Sequence, residues 1–159
     1  MCNHEHYMRR AIELARETSI VQKAGGPFGC VIVKDGEVVG EGANRVIVDC
    51  DPTCHGEINA IRTACSALGT HDLSGCIVYS SGEPCPMCYA ACCWARVDAI
   101  YFASTIHDAT EFGDFDDETM SMSIQHPIQE RDLVGTELLR DEMLEIWKEY
   151  SNLPDKQPY

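Results

Sequence analysis

The sequence predicts an α/β domain in which helices cover both faces of one central sheet. Apolar residues recur at helical spacing in some segments and form short β-type runs in others, in the order helix, strand, strand, helix, strand, helix, strand. A chain of 159 residues buries roughly 70% of its unfolded surface without disulfide or metal staples. We therefore predict a single domain over residues 1–159, with a core at about 5–125 and a C-terminal helix and tail at 126–159.

The first elements are a helix and a hairpin. Residues 7–15 repeat apolar side chains at helical spacing, and the run Gly25-Gly26-Pro27 stops the helix. The segments 30–33 and 38–39 are short and rich in valine, and the Asp35-Gly36 dipeptide between them is typical of a two-residue hairpin turn. The sequence thus predicts two paired strands after the first helix.

The middle of the chain alternates between helix and strand. A polar loop at 44–54 precedes a helix at 57–65, and Gly69 is suited to the left-handed position that ends a helix. A short buried strand at 76–80 and a helix of small and apolar residues at 87–95 follow. This alternation is what places helices on both faces of the sheet.

The last part of the chain is less regular. A strand at 98–103 completes the predicted sheet, and residues 106–126 are predicted to be irregular. Residues 138–147 form an amphipathic helix. The stretch 152–159 contains two prolines and no periodicity, so we expect it to be either disordered or docked on a partner.

The charge distribution restricts the class of partner. The chain has 26 acidic and 12 basic residues, a net charge of −14. Residues 1–105 carry 12 acids and 8 bases (net −4), and residues 106–159 carry 14 acids and 4 bases (net −10). This balance argues against binding to phosphate backbones and for a small-molecule substrate, with no nucleic-acid partner. The acidic end is either a solvated face or contains carboxylates with a specific task.

Ten cysteines indicate a reducing compartment rather than a disulfide framework. The polar N-terminal residues 1–6 do not resemble a secretory leader, and no run approaches the ~20 apolar residues of a membrane span. We therefore expect a cytoplasmic protein with reduced thiols. Cys30, Cys65 and Cys76 lie among apolar residues and are predicted core side chains, and Cys92 and Cys93 are predicted to face a contact between helix and sheet.

A set of possible metal ligands is the most informative feature. His55 lies 30 positions before Cys85, and Cys85 lies three before Cys88. Imidazole and thiolate are ligands that zinc prefers, and a helix beginning at Cys85 puts both sulfurs on one face near its positive end. Three protein ligands leave the fourth position of one Zn²⁺ per chain open for water, as in catalytic sites. Cys54 is a weak candidate for a fourth ligand that would instead close a structural site.

Glu57 is the candidate proton-transfer group. It lies two residues after His55, close enough to reach a zinc-bound water without joining the metal, provided that His55 occupies the turn just before the helix. A carboxylate there can take a proton from water and deliver it to a leaving nitrogen. The alternative is a solvated glutamate that only stabilises the start of a helix.

These residues resemble a known family. His55-Gly56-Glu57 with Pro84-Cys85-Pro86-Met87-Cys88 is similar to the His-x-Glu and Pro-Cys-x-x-Cys signature of the zinc-dependent cytidine and nucleobase deaminases. The resemblance extends over about residues 5–125 and is strongest to small bacterial guanine deaminases. It implies a cytidine deaminase-like three-layer α/β/α sandwich with a central mixed sheet, and a zinc-dependent aminohydrolase that converts guanine to xanthine and ammonia.

The same resemblance implies the substrate-binding residues. Phe28 and Trp94 would flank the purine ring, and Asn44 would form a hydrogen bond to it. In this branch the C-terminal segment is swapped across a homodimer, so that an aspartate and the terminal tyrosine, here Tyr159, close the partner's site. Asp114 is inserted before the matching Phe115-Asp116-Asp117 run, so either Asp116 or Asp117 reaches the substrate, and we favour Asp117.

Two departures from the branch keep alternatives open. Gly56 resembles fungal cytosine deaminases, whereas alanine is usual at this position in guanine and tRNA adenosine deaminases. Gly82 replaces a common cysteine that is not a metal ligand. One alternative is therefore a deaminase of cytosine, a nucleoside or another aminoheterocycle such as a triazine. A more distant one is a zinc-stabilised binding module without turnover.

Overall fold

The computed structural model describes residues 3–157. The chain divides into two compact units, Met1–Glu118 and Thr119–Tyr159. The division into two units does not decide whether residues 1–159 form one domain, so that prediction remains a prediction. Within the described residues, no helix has both the length and the apolar character needed to cross a membrane.

The first unit contains the predicted alternation of helices and strands. Its helices are α1 (His4–Arg16), continued by a π-helical turn (Glu17–Val21), α2 (Val46–Asp49), α3 (Gly56–Leu68), α4 (Pro86–Ala95) and α5 (Ile106–Gly113). Its strands are β1 (Gly29–Lys34), β2 (Glu37–Ala43), β3 (Cys76–Gly82) and β4 (Ala99–Ser104). Further along the chain lie α6 (Asp117–Ser123), a 3-10 turn (Ile128–Glu130) and α7 (Arg140–Ser151).

The strands form one mixed sheet in the order β2-β1-β3-β4. Strand β1 is antiparallel to both β2 and β3, whereas β3 and β4 are parallel and are connected through α4. The β1–β2 turn is the predicted Asp35-Gly36 pair, and both residues have positive φ (52° and 84°). Two consecutive left-handed residues match the twist of a two-residue hairpin.

Successive side chains of each strand point to opposite faces of the sheet. Both faces therefore present apolar residues, and helices cover both. On one face, apolar residues of β1 and β3 pack with α3 and α4; the buried members include Cys30, Ile32, Val78, Ala60, Ala64 and Cys92. On the other face, Val31, Val33 and Tyr79 pack against Ala11 of α1. The predicted α/β/α layering is confirmed.

Helix α3 lies directly on β2 because that strand has no side chain at Gly42. A Cβ atom on Gly42 would lie 2.2 Å from the backbone nitrogen of Ala60, so only glycine permits this approach. Gly69 ends α3 in the left-handed conformation, as predicted. This contact fixes the N-terminus of α3, where two of the candidate site residues lie.

The sequence prediction was wrong in three places. The segment 106–126 contains α5 and α6, and α5 begins with a capping box between Thr105 and Asp108. The loop predicted at 44–54 includes the short helix α2. The thiol of Cys93 is exposed, whereas that of Cys92 is buried, because adjacent residues of a helix point in different directions.

Candidate active site

The starts of α3 and α4 bring the three predicted metal ligands together. His55 is the extended residue immediately before α3, Cys85 occupies the same position before α4, and Cys88 lies in the first turn of α4. The Nδ1 atom of His55 is 3.6 Å from the sulfur of Cys85 and 3.5 Å from that of Cys88. All three ligand atoms lie within 4.8 Å of one another, and among the described residues this is the one cluster of its kind.

The donor set and its dimensions fit zinc. A tetrahedral zinc with Zn–S of about 2.3 Å and Zn–N of about 2.0–2.1 Å separates sulfur from nitrogen by about 3.6 Å, which matches both distances. The hydrogen bond between the thiols lowers the pKa of Cys85 and raises that of Cys88. A bound dication favours the thiolate form of both cysteines.

Glu57 lies beside the cluster but is not part of it. It is in the first turn of α3, only 4% of its surface is exposed, and its side chain lines the adjoining cavity. Burial raises the pKa of its carboxyl group above the ordinary value. Its Oε1 atom accepts a hydrogen bond from the hydroxyl of Ser80 at 3.1 Å. The carboxyl group is therefore held near the predicted metal position without occupying a ligand position in the cluster.

A cavity of about 430 Å³ opens beside His55, Glu57 and Cys85. This volume is within the usual range of small-molecule sites. Its remaining lining residues are Gly25, Gly26, Phe28, Asn44, Val46, Ile47, Pro52, Glu83, Phe115 and Asp117. Thus the cavity joins the candidate metal centre to aromatic and polar side chains.

Backbone groups fix the orientation of the Asn44 amide. Its Oδ1 atom accepts hydrogen bonds from the backbone N–H groups of Gly26 and Val46 at 3.3 and 3.2 Å. A Cβ atom on Gly25 would lie 2.0 Å from the same oxygen, so glycine is required for this close approach. The hydroxyl of Thr18 donates to the carbonyl of Asn44. With Oδ1 engaged in this way, the Nδ2 amide group is the remaining donor.

The aromatic and acidic residues of the wall come partly from the segment after α5. Phe28 and Phe115 contact each other edge to face, with ring centroids 5.1 Å apart. Asp117 is buried and lines the cavity, and burial raises the pKa of its carboxyl group, whereas Asp116 is exposed. Of the two carboxylates left open by the sequence, the cavity wall contains Asp117, and it does so in its own chain, whereas the family resemblance implied an aspartate from the partner.

The structure does not bring Trp94 to the cavity of its own chain. Trp94 lies nine residues after Cys85, so the two side chains project from opposite sides of α4, about 180° apart around its axis. The Trp94 side is exposed to solvent, with 64% of the residue's surface accessible. Within one chain the second aromatic ring of the cavity is that of Phe115. Tyr159, the other predicted substrate residue, lies outside the described residues.

Phe115 and Glu83 are among the cavity-wall residues to which the sequence analysis gives no role in the site. In the sequence, Phe115 is only the neighbour of Asp116 and Asp117 in the run that follows the inserted Asp114. Glu83 precedes the Pro-Cys-x-x-Cys motif, and its Oε2 atom accepts a hydrogen bond of 3.0 Å from the backbone N–H of Ile106 at the start of α5. Their positions next to recognised motifs were the signal available in the sequence.

Comparison with known proteins identifies the class of this site. Residues 1–104 match the family model described as the cytidine and deoxycytidylate deaminase zinc-binding region. The chain belongs to this family, as its sequence resemblance predicted.

Individual relatives resemble the chain to different extents. Guanine deaminase of Bacillus subtilis is 43% identical over 157 residues, which cover 99% of each chain, and its X-ray structure has a TM-score of 0.92 over the same shares. A further solved structure is a complex with 2,6-diaminopurine, and the protein in it is 29% identical in sequence to this chain. The two structures have a TM-score of 0.68, and the match covers 100% of this chain and 86% of the other. The tRNA-specific adenosine deaminase of Agrobacterium fabrum is 38% identical over 104 residues, 65% of this chain and 67% of its own.

Proposed function

We propose that this chain is a zinc-dependent aminohydrolase that converts guanine and water to xanthine and ammonia. The observation that carries the proposal is the junction of the His55, Cys85 and Cys88 cluster with a cavity that also contains Glu57 and Asn44. The full-length similarity to a guanine deaminase supports guanine as the ring. The bound 2,6-diaminopurine in a related structure supports a small purine.

The residues divide the reaction between metal binding and proton transfer. His55, Cys85 and Cys88 hold one zinc, which when bound polarises water and lowers its pKa towards about 7. Glu57 takes a proton from the attacking water and returns it to the nitrogen that leaves. The ring carbon exchanges its amino group for oxygen, and ammonia departs. Burial of Glu57 keeps bulk water from competing for this proton.

Ring recognition follows from the polarity of the wall. The Nδ2 group of Asn44 donates to an acceptor such as the O6 or N7 atom of guanine. Asp117 accepts from ring N–H groups, and the purine stacks on Phe28 with Phe115 beside it. Adenine presents an amino donor where guanine has O6, so an Asn44 donor that binds O6 would be left unpaired on adenine. A site that hydrogen-bonds several ring atoms rejects such analogues, in known cases by ~10⁴ or more.

An ammonia-release assay on purified, zinc-loaded protein tests the proposed substrate. We expect turnover of guanine, and at least about a hundredfold lower kcat/KM for adenine and cytosine, because their donor patterns do not match the wall. A Glu57→Gln preparation made in parallel controls for contaminating deaminases. If guanine is inert while cytosine, a nucleoside or a triazine releases ammonia, the substrate assignment is wrong and the deaminase assignment stands. A wild-type protein inactive on every ring, with zinc bound, would favour a binding module.

We also propose that the chain forms a homodimer with a swapped C-terminal segment. None of the residues of α7 is buried, and its Ile146 and Trp147 are more than half exposed, as are Leu133 and Leu138 in the same unit. Exposed apolar surface of this kind marks contacts with another protein. In a swapped dimer, Tyr159 closes the partner's cavity. A cytoplasmic location agrees with the reduced cysteines that the site requires.

Light scattering at micromolar concentration is expected to give twice the chain mass; a monomer would contradict the dimer.

The swap is tested by co-expressing a chain truncated after Asn152 with a full-length Glu57→Gln chain. Each is expected to be inactive alone. In a swapped pair, the truncated chain supplies Glu57 and its partner supplies the tail, so activity returns. Absence of activity in the purified heterodimer would mean that the tail acts on its own chain.

A further inference from the structure

Ser80 is a buried hydroxyl in an otherwise apolar row. It lies in the central strand β3, where its backbone pairs with Cys30 on one side and Phe102 on the other. Cys76 and Val78 precede it on the same face of the strand and belong to the apolar cluster beneath α3 and α4. Ser80 has no exposed surface. A hydroxyl at such a position is costly unless it forms a hydrogen bond.

The partner of this hydroxyl is the carboxyl group of Glu57. Ser80 Oγ donates to Glu57 Oε1 at 3.1 Å, between residues 23 positions apart in the chain. Glu57 is on a helix, whereas Ser80 is fixed by hydrogen-bonded strands on both sides, so the strand restrains the carboxyl group. With Oε1 held by Ser80, the strand is one of the groups that orient the carboxyl group, beside the backbone N–H of Glu57 and the thiol of Cys88. A proton-transfer group displaced by 1 Å can lose about a hundredfold in rate.

We propose that Ser80 is a positioning residue that aims the Glu57 carboxyl group for proton transfer. The proposal rests on the role given to Glu57 in the proposed function. Ser80 does not line the cavity and is not one of the cluster residues, so its removal acts through Glu57 rather than through binding of substrate or metal.

The neighbouring Ser81 provides a matched control. It is also buried and on β3, but its hydroxyl accepts from the backbone N–H of Gly29 at 3.0 Å and donates to the carbonyl of Pro27 at 3.3 Å. Ser80→Ala and Ser81→Ala each remove one buried hydroxyl from the same strand. Only Ser80→Ala removes a hydrogen bond to Glu57, so a general loss of stability is separated from a loss of orientation.

The experiment compares kcat, KM, zinc per chain and melting temperature for Ser80→Ala, Ser81→Ala and Ser80→Thr. We expect Ser80→Ala to lower kcat by about ten- to a hundredfold, with KM within about threefold and zinc unchanged. Ser80→Thr keeps the hydroxyl and is expected to restore most of kcat. Ser81→Ala is expected to lower the melting temperature but not kcat.

The outcomes separate this proposal from the proposed function. If the wild-type protein is active and Ser80→Ala keeps kcat within twofold, Ser80 does not position Glu57 and the function stands. An equal fall of kcat in Ser81→Ala also overturns the proposal, because the effect is then structural. If Ser80→Thr does not fold, the comparison of the two alanine variants decides. A zinc-loaded wild-type protein that releases ammonia from no aminoheterocycle overturns both proposals.

Discussion

Replacing Glu57 with glutamine is expected to lower kcat by about 10²–10⁴-fold while one zinc per chain remains bound. Glutamine has nearly the same shape as glutamate but cannot accept and return a proton. The side chain lines the cavity next to the ligand cluster without belonging to it. Its loss therefore removes proton transfer and leaves metal binding intact. Steady-state ammonia release and elemental analysis of the same preparation measure the two effects.

The result of this substitution distinguishes two roles for the carboxyl group. Loss of zinc from Glu57→Gln would make Glu57 a ligand, and unchanged turnover would remove it from catalysis. Glu57→Asp is the matched comparison, because it keeps the carboxyl group but shortens the side chain by one methylene. We expect its kcat to lie between those of the wild type and Glu57→Gln, since the acid remains but is displaced from the reacting atoms.

The parts of the site that the sequence predicted are those formed by short-range geometry. A Cys-x-x-Cys at the start of a helix places its sulfurs one turn apart whatever the surrounding fold. His55 was predicted in the turn before a helix, and it is the residue that precedes α3. The hairpin at Asp35-Gly36 and the end of α3 at Gly69 follow from backbone preferences of single residues.

The sequence could not predict what depends on distant contacts. Ser80 lies in a run that predicts only a buried strand. Its hydrogen bond to Glu57 joins residues 23 positions apart and is evident only in the folded structure. Helix α5 has eight residues, too few for a clear hydrophobic period, and its capping box is short enough to be read as a turn. For Trp94, helical spacing alone already pointed away from Cys85, and the family resemblance overrode that geometry.

Replacing Cys88 with serine is expected to abolish both zinc binding and turnover. A serine hydroxyl remains protonated near neutral pH and is a poor zinc ligand, whereas the thiolate is a strong one. Only His55 and Cys85 would then remain of the described cluster. We expect less than about 0.1 zinc per chain after metal-replete expression, with ammonia release at background. The melting temperature should also fall, because zinc that binds only the folded chain stabilises it.

Cys92 supplies the control for this substitution, because it lies one turn further along α4 and its thiol is equally buried. It packs in the apolar cluster beneath α3 and α4 and is outside the ligand cluster. Cys92→Ala therefore tests what the loss of a buried sulfur does to α4 without touching the metal. We expect it to keep one zinc per chain and wild-type kcat, with a lower melting temperature from the lost packing. If Cys88→Ser instead keeps full zinc and turnover, the ion is held by other residues, and the assignment of this cluster as the catalytic metal site is wrong.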